Sequence, residues 1–428
     1  MGVFWPRILA TRARHVANEK LSLDSHHASH FPEHMKPATV LSSSDSLVAP
    51  VGVSRSRAAP RRAAVAARAS TDAAATGPAV GVGNTFRTAT DRVTLGTSDL
   101  SVAATGAGAW AWGDRSGYWG SDWEGDRAKN LDAYRTLLAG GVDFIDTAEV
   151  YGFGKSEELI REFMRDTAAD ATLCPPLLAT KFAPIPFRFR AEDVPNALRA
   201  SMARMGVRKV ALYMQHWPAF GLPGVTEACN DAFLEGLCLC YEQGLCRAVG
   251  VSNFNAERVR RAAKKFKERG VPFASNQIQY SLAYRTPETD TGVVDACNEC
   301  GVTPVAYSPM AQGLLTGKYS AASPLGEGVK ATGPRARILS DEKLASADAL
   351  VDLMREIGTN RGGVTPAQVA VNYCMTKGTV PIPGAKDARQ AEAVVGCLGW
   401  RLDEAEVAEL EAAAASLPST PGAPFEKW

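Results

Sequence analysis

After residue 34 this sequence has a single histidine, His216. The other five stand near the amino terminus: His15, His26, His27, His30 and His34. A mononuclear metal site built from two or three histidines is therefore excluded from the remainder of the chain. We predict no metal centre, and any step that needs an imidazole there must use His216.

Long apolar runs and clustered positive charge are also missing. No stretch approaches the roughly 20 apolar residues that cross a bilayer, so we predict no membrane span. The net charge is only +1, and after residue 70 acidic residues outnumber basic ones by 42 to 37. Binding to nucleic acid needs clustered lysine and arginine, so we predict no nucleic-acid partner.

Cysteine is present in an odd number without a paired spacing. All nine cysteines follow residue 173, in a chain long enough to bury a core without disulfides, which favours free thiols in a reducing compartment. Cys297 and Cys300 form a CxxC, but no second CxxC or nearby histidine completes a zinc site. Their segment "VVDACNECG" is typical of a helix, and a redox pair remains the alternative.

The first 70 residues have the composition of a transit peptide, rich in arginine, serine and alanine and poor in acids. We predict a leader over residues 1–70, a linker over 71–84 and a folded domain over 85–428. Mitochondrial and chloroplast leaders share this chemistry, and a disordered extension is the simpler alternative.

From about residue 85, short apolar runs alternate with amphipathic stretches, which is typical of repeated βα units. We expect eight strands, near "LSVAATG", "VDFIDT", "PLLATKF", "VALYMQH", "RAVGVSN", "FASNQIQY", "TPVAYSP" and "VPIPGA". The fold class is therefore α/β, a (β/α)₈ TIM barrel. An open nucleotide-binding sheet is disfavoured because no G-x-G-x-x-G follows the first strand.

Two further elements flank the predicted barrel. The run "TFRTATDRVTLGTSDLS" is typical of a hairpin with a turn at Asp91 or Gly96, which we expect to cover the barrel bottom. The segment "DEAEVAELEAAAAS" predicts a carboxyl-terminal helix packed outside the barrel.

Polar residues that end apolar strands are the candidates for an active site, because (β/α)₈ enzymes carry theirs at the carboxyl ends of the strands. Asp146 and Tyr151 follow the second strand, Lys181 ends the third and His216 the fourth. Each alone has a simple structural explanation, as a cap, a surface charge or a packing residue. Together they indicate a catalytic group.

The chemistry of this group is that of carbonyl reduction. A tyrosine, with an ordinary pKa near 10, needs help to donate a proton at neutral pH. We expect Lys181 to lower the pKa of Tyr151, Asp146 to keep that lysine charged, and His216 to orient the substrate oxygen. Such a site protonates an alkoxide without a metal, provided that a cofactor delivers the hydride.

Several ordered motifs over residues 92–412 resemble the aldo-keto reductase family, particularly the plastid members of plants and algae. The motifs are "GAWAWGD", "GVDFIDTAEVYG", "LLATKF", "LYMQHWP", "GVSNF", "NQIQYS", "AYSPMAQGLLTGKY" and "PIPGAKDARQAE" with "LGWRL". The resemblance implies a catalytic tetrad of Asp146, Tyr151, Lys181 and His216, and NADPH/NADP⁺ as the cofactor. It also favours the chloroplast over the mitochondrion.

The resemblance further implies where NADPH binds. Nicotinamide contacts fall on Ser252, Asn253, Gln277 and Tyr307. Pyrophosphate contacts fall on Ser308, Pro309, Met310, Ala311, Gln312, Gly313 and Lys318, and adenosine contacts on Gly384, Lys386 and Gln390. Lys386 is the candidate for the 2′-phosphate, while Arg335 and Arg337 either close a loop over the cofactor or are solvated. Ala393 and Val394 replace the Glu and Asn of many members, which implies weaker cofactor affinity.

The expected substrate is a small carbonyl compound, with Trp110 and Trp217 as apolar walls of its pocket or as packing residues. Two other functions stay open. A neutral Lys181 would suit a Schiff-base aldolase, although Asp146 opposes neutrality. Some relatives of the family are channel subunits that sense nicotinamide redox state, but they carry Asn where this chain has His216.

Overall fold

The computed structural model describes residues 92–115, 118–119, 124–219, 224–320 and 339–418. The predicted leader and linker, together with Arg335 and Arg337, lie outside the described residues.

Eight parallel strands form a barrel in which spatial order follows chain order. They are β3 (Ala107–Gly108), β4 (Phe144–Asp146), β5 (Leu177–Phe182), β6 (Val210–Gln215), β7 (Cys246–Ser252), β8 (Phe273–Gln279), β9 (Thr303–Tyr307) and β10 (Val380–Pro381). The ring closes where Gly106 N–H donates to Pro381 O at 2.8 Å and Gly108 N–H donates to Pro383 O at 3.0 Å. The predicted TIM barrel is confirmed.

Helices connect successive strands on the outside of the barrel. They are α1 (Arg127–Ala139), α2 (Lys155–Asp166), α3 (Asp193–Met205), α4 (Cys229–Glu242), α5 (Ala256–Glu268), α6 (Thr286–Thr289), α7 (Val293–Glu299), α8 (Asp341–Asn360), α9 (Pro366–Thr376), α10 (Ala388–Val395) and α11 (Glu404–Ala414). Local sequence sets their starts: the side chains of Asn255, Asp387 and Asp403 cap α5, α10 and α11. The predicted carboxyl-terminal helix is α11. Among the described helices, none is long and apolar enough to cross a bilayer.

The strands are buried on both faces, which explains their nearly continuous apolar runs. Leu212 and Met214 of β6 belong to a cluster shared by the strands and the hairpin, whereas Tyr213 between them packs in the cluster under the helices. Side chains therefore alternate between the barrel interior and the helix layer, and the carboxyl ends of the strands with the loops that follow them remain for chemistry.

The predicted position of the first barrel strand is wrong. In "LSVAATG" only Ser101–Ala103 forms a strand, β2, and it pairs antiparallel with β1 (Arg92–Thr94). The first barrel strand is the two-residue β3, which follows it. Alternation of side chains reports burial, but it does not tell which sheet a strand joins.

The predicted hairpin and its turn at Gly96 are confirmed at the amino-terminal ends of the barrel strands. Gly96 has φ +53°, and a Cβ there would lie 2.2 Å from Phe273 O, at the start of β8. Leu95, Leu100 and Val102 join the interior cluster of the barrel. The hairpin therefore covers the end of the barrel opposite the candidate site.

Candidate active site

The buried ammonium of Lys181 is the centre of the cluster predicted from the strand ends. Its Nζ lies 2.5 Å from Asp146 Oδ2, 2.9 Å from Thr147 O and 3.2 Å from Tyr151 OH. Both Lys181 and Asp146 are almost fully buried. Because β4 and β5 are adjacent and parallel, their carboxyl ends bring the two charges together.

Tyr151 begins a tight turn, Tyr151–Gly154, in which three successive residues have positive φ: Gly152 (+55°), Phe153 (+59°) and Gly154 (+93°). Gly152 is required there because a Cβ would lie 2.1 Å from Gly113 O. The turn leaves the ring of Tyr151 half-buried, with Lys181 Nζ 4.8 Å from its centroid and the His216 ring 5.6 Å away.

The electrostatics of the cluster differ from our expectation in one respect. Burial raises the pKa of Tyr151 above its ordinary value, and the nearby charge of Lys181 offsets this rise without reversing it. Lys181 lowers the pKa of Tyr151 as predicted, but the net shift is upward because loss of solvation outweighs a single ammonium. The phenol stays protonated at neutral pH, as a proton donor must.

Lys181 and Asp146 form a charged pair. Burial alone would lower the pKa of Lys181, but the charge of Asp146 and the hydrogen bonds to Asp146 and Tyr151 outweigh burial and raise it. Burial raises the pKa of Asp146, opposed by Lys181 and by Gln277, whose Nε2 donates to Asp146 Oδ1 at 2.9 Å. A lysine with a raised pKa is protonated, which disfavours the Schiff-base alternative.

His216 follows β6 and is buried beside Tyr151 and Trp217. Burial, followed by the charge of Lys181, lowers its pKa well below the ordinary value. The imidazole is therefore neutral at physiological pH, so one ring nitrogen carries a hydrogen and the other a lone pair. A neutral ring can orient a substrate oxygen without adding charge.

The four residues predicted at the nicotinamide end are brought together beside this cluster. Asn253 Nδ2 donates to His216 O at 3.0 Å and to Ser252 Oγ at 3.1 Å, and Asn253 Oδ1 accepts from Tyr307 OH at 2.9 Å. Ser252 Oγ donates to Gln277 O at 2.8 Å. These bonds connect the carboxyl ends of β7, β8 and β9 to the strand that precedes His216.

The predicted pyrophosphate segment is an irregular turn after β9. Positive φ angles occur at Ser308 (+55°), Ala311 (+47°), Gln312 (+56°) and Gly313 (+113°), and a short 3₁₀ helix spans Ala311–Thr316. Pro309 is buried and Met310 half-buried, whereas Lys318 is exposed with its Nζ 5.3 Å from the Tyr319 ring centroid. Successive backbone N–H groups in turns with left-handed residues can form a concave site for an anion.

The predicted adenosine residues surround the start of α10. Gly384 is exposed, and a Cβ there would meet only Gly108 O, at 3.8 Å. Gln390 Oε1 accepts from Lys386 N–H at 3.1 Å, and Lys386 Nζ donates to Trp119 O at 3.2 Å. The sequence motif thus forms a compact turn with open space at Gly384.

The two predicted pocket tryptophans lie on either side of the cluster. Trp110 is half-buried, and its ring stacks on Tyr151 with 6.0 Å between ring centroids. The ring centroid of Trp217 lies 4.8 Å from that of His216. Trp217 is almost fully buried, so packing accounts for most of its surface. Trp110 is the stronger candidate for a pocket wall.

Sequence reasoning missed Glu149 and Arg188. Glu149 lies two residues before Tyr151 and is buried, and its carboxylate forms a bidentate ion pair with Arg188, on the loop after β5. The sequence feature that could have pointed to Glu149 is a second acidic residue, three positions after Asp146, in the motif "DTAEVYG". Its partner stands 39 residues away, so no local pattern connects the two.

Asp146, Tyr151, Lys181 and His216 lie together at the carboxyl ends of the strands of a (β/α)₈ barrel, and comparison with known proteins identifies the family. Residues 105–415 match the model of the aldo/keto reductase family, and the chain belongs to that family. The predicted resemblance is confirmed.

Individual relatives agree with this assignment. The chloroplastic pyridoxal reductase of Arabidopsis thaliana is 36% identical over 326 residues, covering 75% of this chain and 86% of that protein. The glycerol dehydrogenase AKR11B4 from Gluconobacter oxydans superposes with a TM-score of 0.62 at 26% identity, over 79% of this chain and 99% of that one. The aldo-keto reductase AKR2E5, whose crystal structure contains NADPH, superposes with a TM-score of 0.57 at 25% identity, over 77% of this chain and 89% of that one.

Proposed function

We propose that this protein reduces an aldehyde or ketone to an alcohol with NADPH, and that Tyr151 is the proton donor. The observation that carries the proposal is the contact of Lys181 Nζ with both Asp146 and Tyr151 OH, next to a neutral His216. The phenol of Tyr151, the ammonium of Lys181 and the neutral ring of His216 therefore lie close together at the carboxyl ends of the strands.

The protonation follows from these contacts. A substrate carbonyl oxygen bound between Tyr151 OH and His216 receives hydrogen bonds that strengthen as it becomes negative. Tyr151 transfers its proton to that oxygen, and Lys181 stabilises the phenolate left behind. Asp146 keeps the ammonium charged throughout, because neither group can lose its partner without leaving an isolated buried charge.

The chain's residues fit NADPH in both chemistry and space. The side-chain oxygen of Asn253 and the side-chain amide of Gln277 have hydrogen-bonding positions beyond the bonds described above that suit a carboxamide, and Tyr307 offers an aromatic face. The turn over Ser308–Gly313 suits the pyrophosphate, and the open space at Gly384 leaves room at the start of α10. Bound there, NADPH would supply the hydride.

The similarity to a pyridoxal reductase makes pyridoxal the first substrate to test, and a plastid the first location to test. The aromatic ring of Trp110 beside Tyr151 suits a planar ring next to the reacting carbonyl. A fusion of residues 1–84 to a fluorescent protein would test the location by import into isolated chloroplasts or mitochondria.

The function is tested by following NADPH oxidation with a panel of aldehydes and ketones that includes pyridoxal. We expect turnover with at least one small aldehyde and none without a carbonyl compound. Tight binding of NADPH without turnover on any member would reject the reductase and favour a redox sensor. Borohydride trapping of substrate on Lys181 would favour an aldolase.

We expect Lys386→Ala to weaken NADPH binding about 10- to 100-fold while changing NADH binding little, because one charge-assisted contact contributes about 1.5–3 kcal/mol. Dissociation constants from quenching of tryptophan fluorescence would measure both. Lys264→Ala, which removes an exposed charge from the outer helix α5, is the control. Equal weakening of both cofactors would show that another residue contacts the 2′-phosphate.

A further inference from the structure

The ion pair of Glu149 and Arg188 joins the two segments that carry the catalytic residues. Glu149 lies between Asp146 and Tyr151 on the β4–α2 connection. Its Oε1 accepts from Arg188 Nη1 at 2.5 Å and its Oε2 accepts from Arg188 Nη2 at 3.0 Å. Glu149 is 9% exposed, so this carboxylate is held away from bulk water.

The same contacts reach the backbone next to Lys181. Glu149 Oε1 also accepts from Ala183 N–H at 2.7 Å, and Arg188 Nη1 donates to Ala183 O at 3.0 Å. The Arg188 guanidinium lies 5.1 Å from the ring centroid of Phe182, the residue that follows Lys181. One pair of side chains therefore fixes the end of β5 relative to the segment that leads to Tyr151.

Both segments need an external restraint. Phe153, in the turn of Tyr151, and Phe187, next to Arg188, have positive φ (+59° and +74°), which a phenylalanine rarely adopts. Phe187 is 90% exposed, so packing of its own ring does not hold it there. The ion pair supplies such a restraint, because Glu149 precedes the turn that contains Phe153 and Arg188 directly follows Phe187.

We propose that Glu149 and Arg188 are positioning residues that set the distance between Tyr151 OH and Lys181 Nζ, and thereby the rate of proton donation. The proposal rests on the proposed function of Tyr151. Neither side chain needs to touch substrate: each acts through the backbone of its own segment. A bidentate pair suits this role because it fixes direction as well as distance.

A double-mutant cycle tests this proposal. We expect Glu149→Gln to lower kcat about 10- to 100-fold, the size of effect that a misplacement of about 1 Å produces, with an unchanged dissociation constant for NADPH. In a Tyr151→Phe background the same change should lower kcat less than about twofold, because the group it positions is already missing. Equal losses in both backgrounds would indicate a general structural role and overturn the proposal.

The controls separate positioning from stability and from the proposed function. Asp143 is matched to Glu149, since its carboxylate is buried and binds an arginine, Arg92, and the backbone N–H of Ala103 at the opposite end of β4. We expect Asp143→Asn to lower the melting temperature and leave kcat unchanged. If Glu149→Gln does not fold, Arg188→Lys carries the same cycle, because lysine keeps the charge but loses the bidentate geometry.

The two failures have different signatures. Wild-type kcat in Tyr151→Phe would reject the proposed function itself. A large loss in Tyr151→Phe with normal kcat in both Glu149→Gln and Arg188→Lys would reject only the positioning role.

Discussion

Tyr151→Phe is expected to lower kcat for carbonyl reduction by roughly 10²- to 10⁴-fold, the usual contribution of a general acid. The change removes only the phenol oxygen, which lies 3.2 Å from Lys181 Nζ. The stacking of the ring on Trp110 and its contact with Lys181 remain available to phenylalanine. The loss should therefore fall on the chemical step and not on NADPH binding.

Steady-state kinetics together with NADPH titration would measure this separation. Tyr134→Phe is the matched control, because Tyr134 is a buried tyrosine on α1 that belongs to the cluster under the helices, and its ring packs against Trp112. Loss of its hydroxyl should leave kcat unchanged. Comparable turnover by Tyr151→Phe and the wild-type protein would show that the proton comes from another group.

Lys181→Met is expected to lose both activity and stability. The buried Asp146 carboxylate would keep only neutral partners such as Gln277, and breaking a buried ion pair in this way costs about 3–5 kcal/mol of unfolding free energy. Activity should fall by at least roughly 10²-fold, since the phenolate formed on Tyr151 would no longer be stabilised. Chemical denaturation and NADPH oxidation would measure the two effects.

The double variant Asp146→Asn with Lys181→Met separates them. Removing both charges should recover most of the unfolding free energy while activity stays low, because no cation remains beside Tyr151. If Lys181→Met alone were as stable as the wild-type protein, that result would contradict a charged Asp146–Lys181 pair.

Most residues of the candidate site could be predicted from the sequence, because they stand at the ends of apolar strands. Asp146, Lys181 and His216 each terminate a buried run, and the closure of the barrel brings parallel strand ends to one rim. The chain order of these motifs therefore predicted their proximity. Their roles remain predictions, since proximity does not show which group moves a proton.

Other features depend on relations that a linear pattern does not contain. The sign of the pKa shift of Tyr151 depends on how much water its turn excludes, and Gly152 in that turn is required because Gly113 O leaves no room for a Cβ. The Glu149–Arg188 pair joins two loops after different strands. The prediction assigned "LSVAATG" to the barrel sheet, whereas its strand pairs with β1. The error arose because a second short apolar run, which contains β3, follows directly after Gly106.

The hairpin at the barrel bottom has a consequence for the order in which the protein can assemble. Gly96 N–H donates to Thr303 Oγ1, 207 residues later, and Phe273 N–H donates to Thr97 Oγ1 across 176 residues. A ribosome makes the hairpin before any barrel strand, whereas its hydrogen-bonding partners in β8 and β9 are made 176 and 207 residues later. The apolar side chains of Leu95, Leu100 and Val102 therefore lack their native cover until those strands are made, and exposed apolar surface of this kind favours non-native contacts.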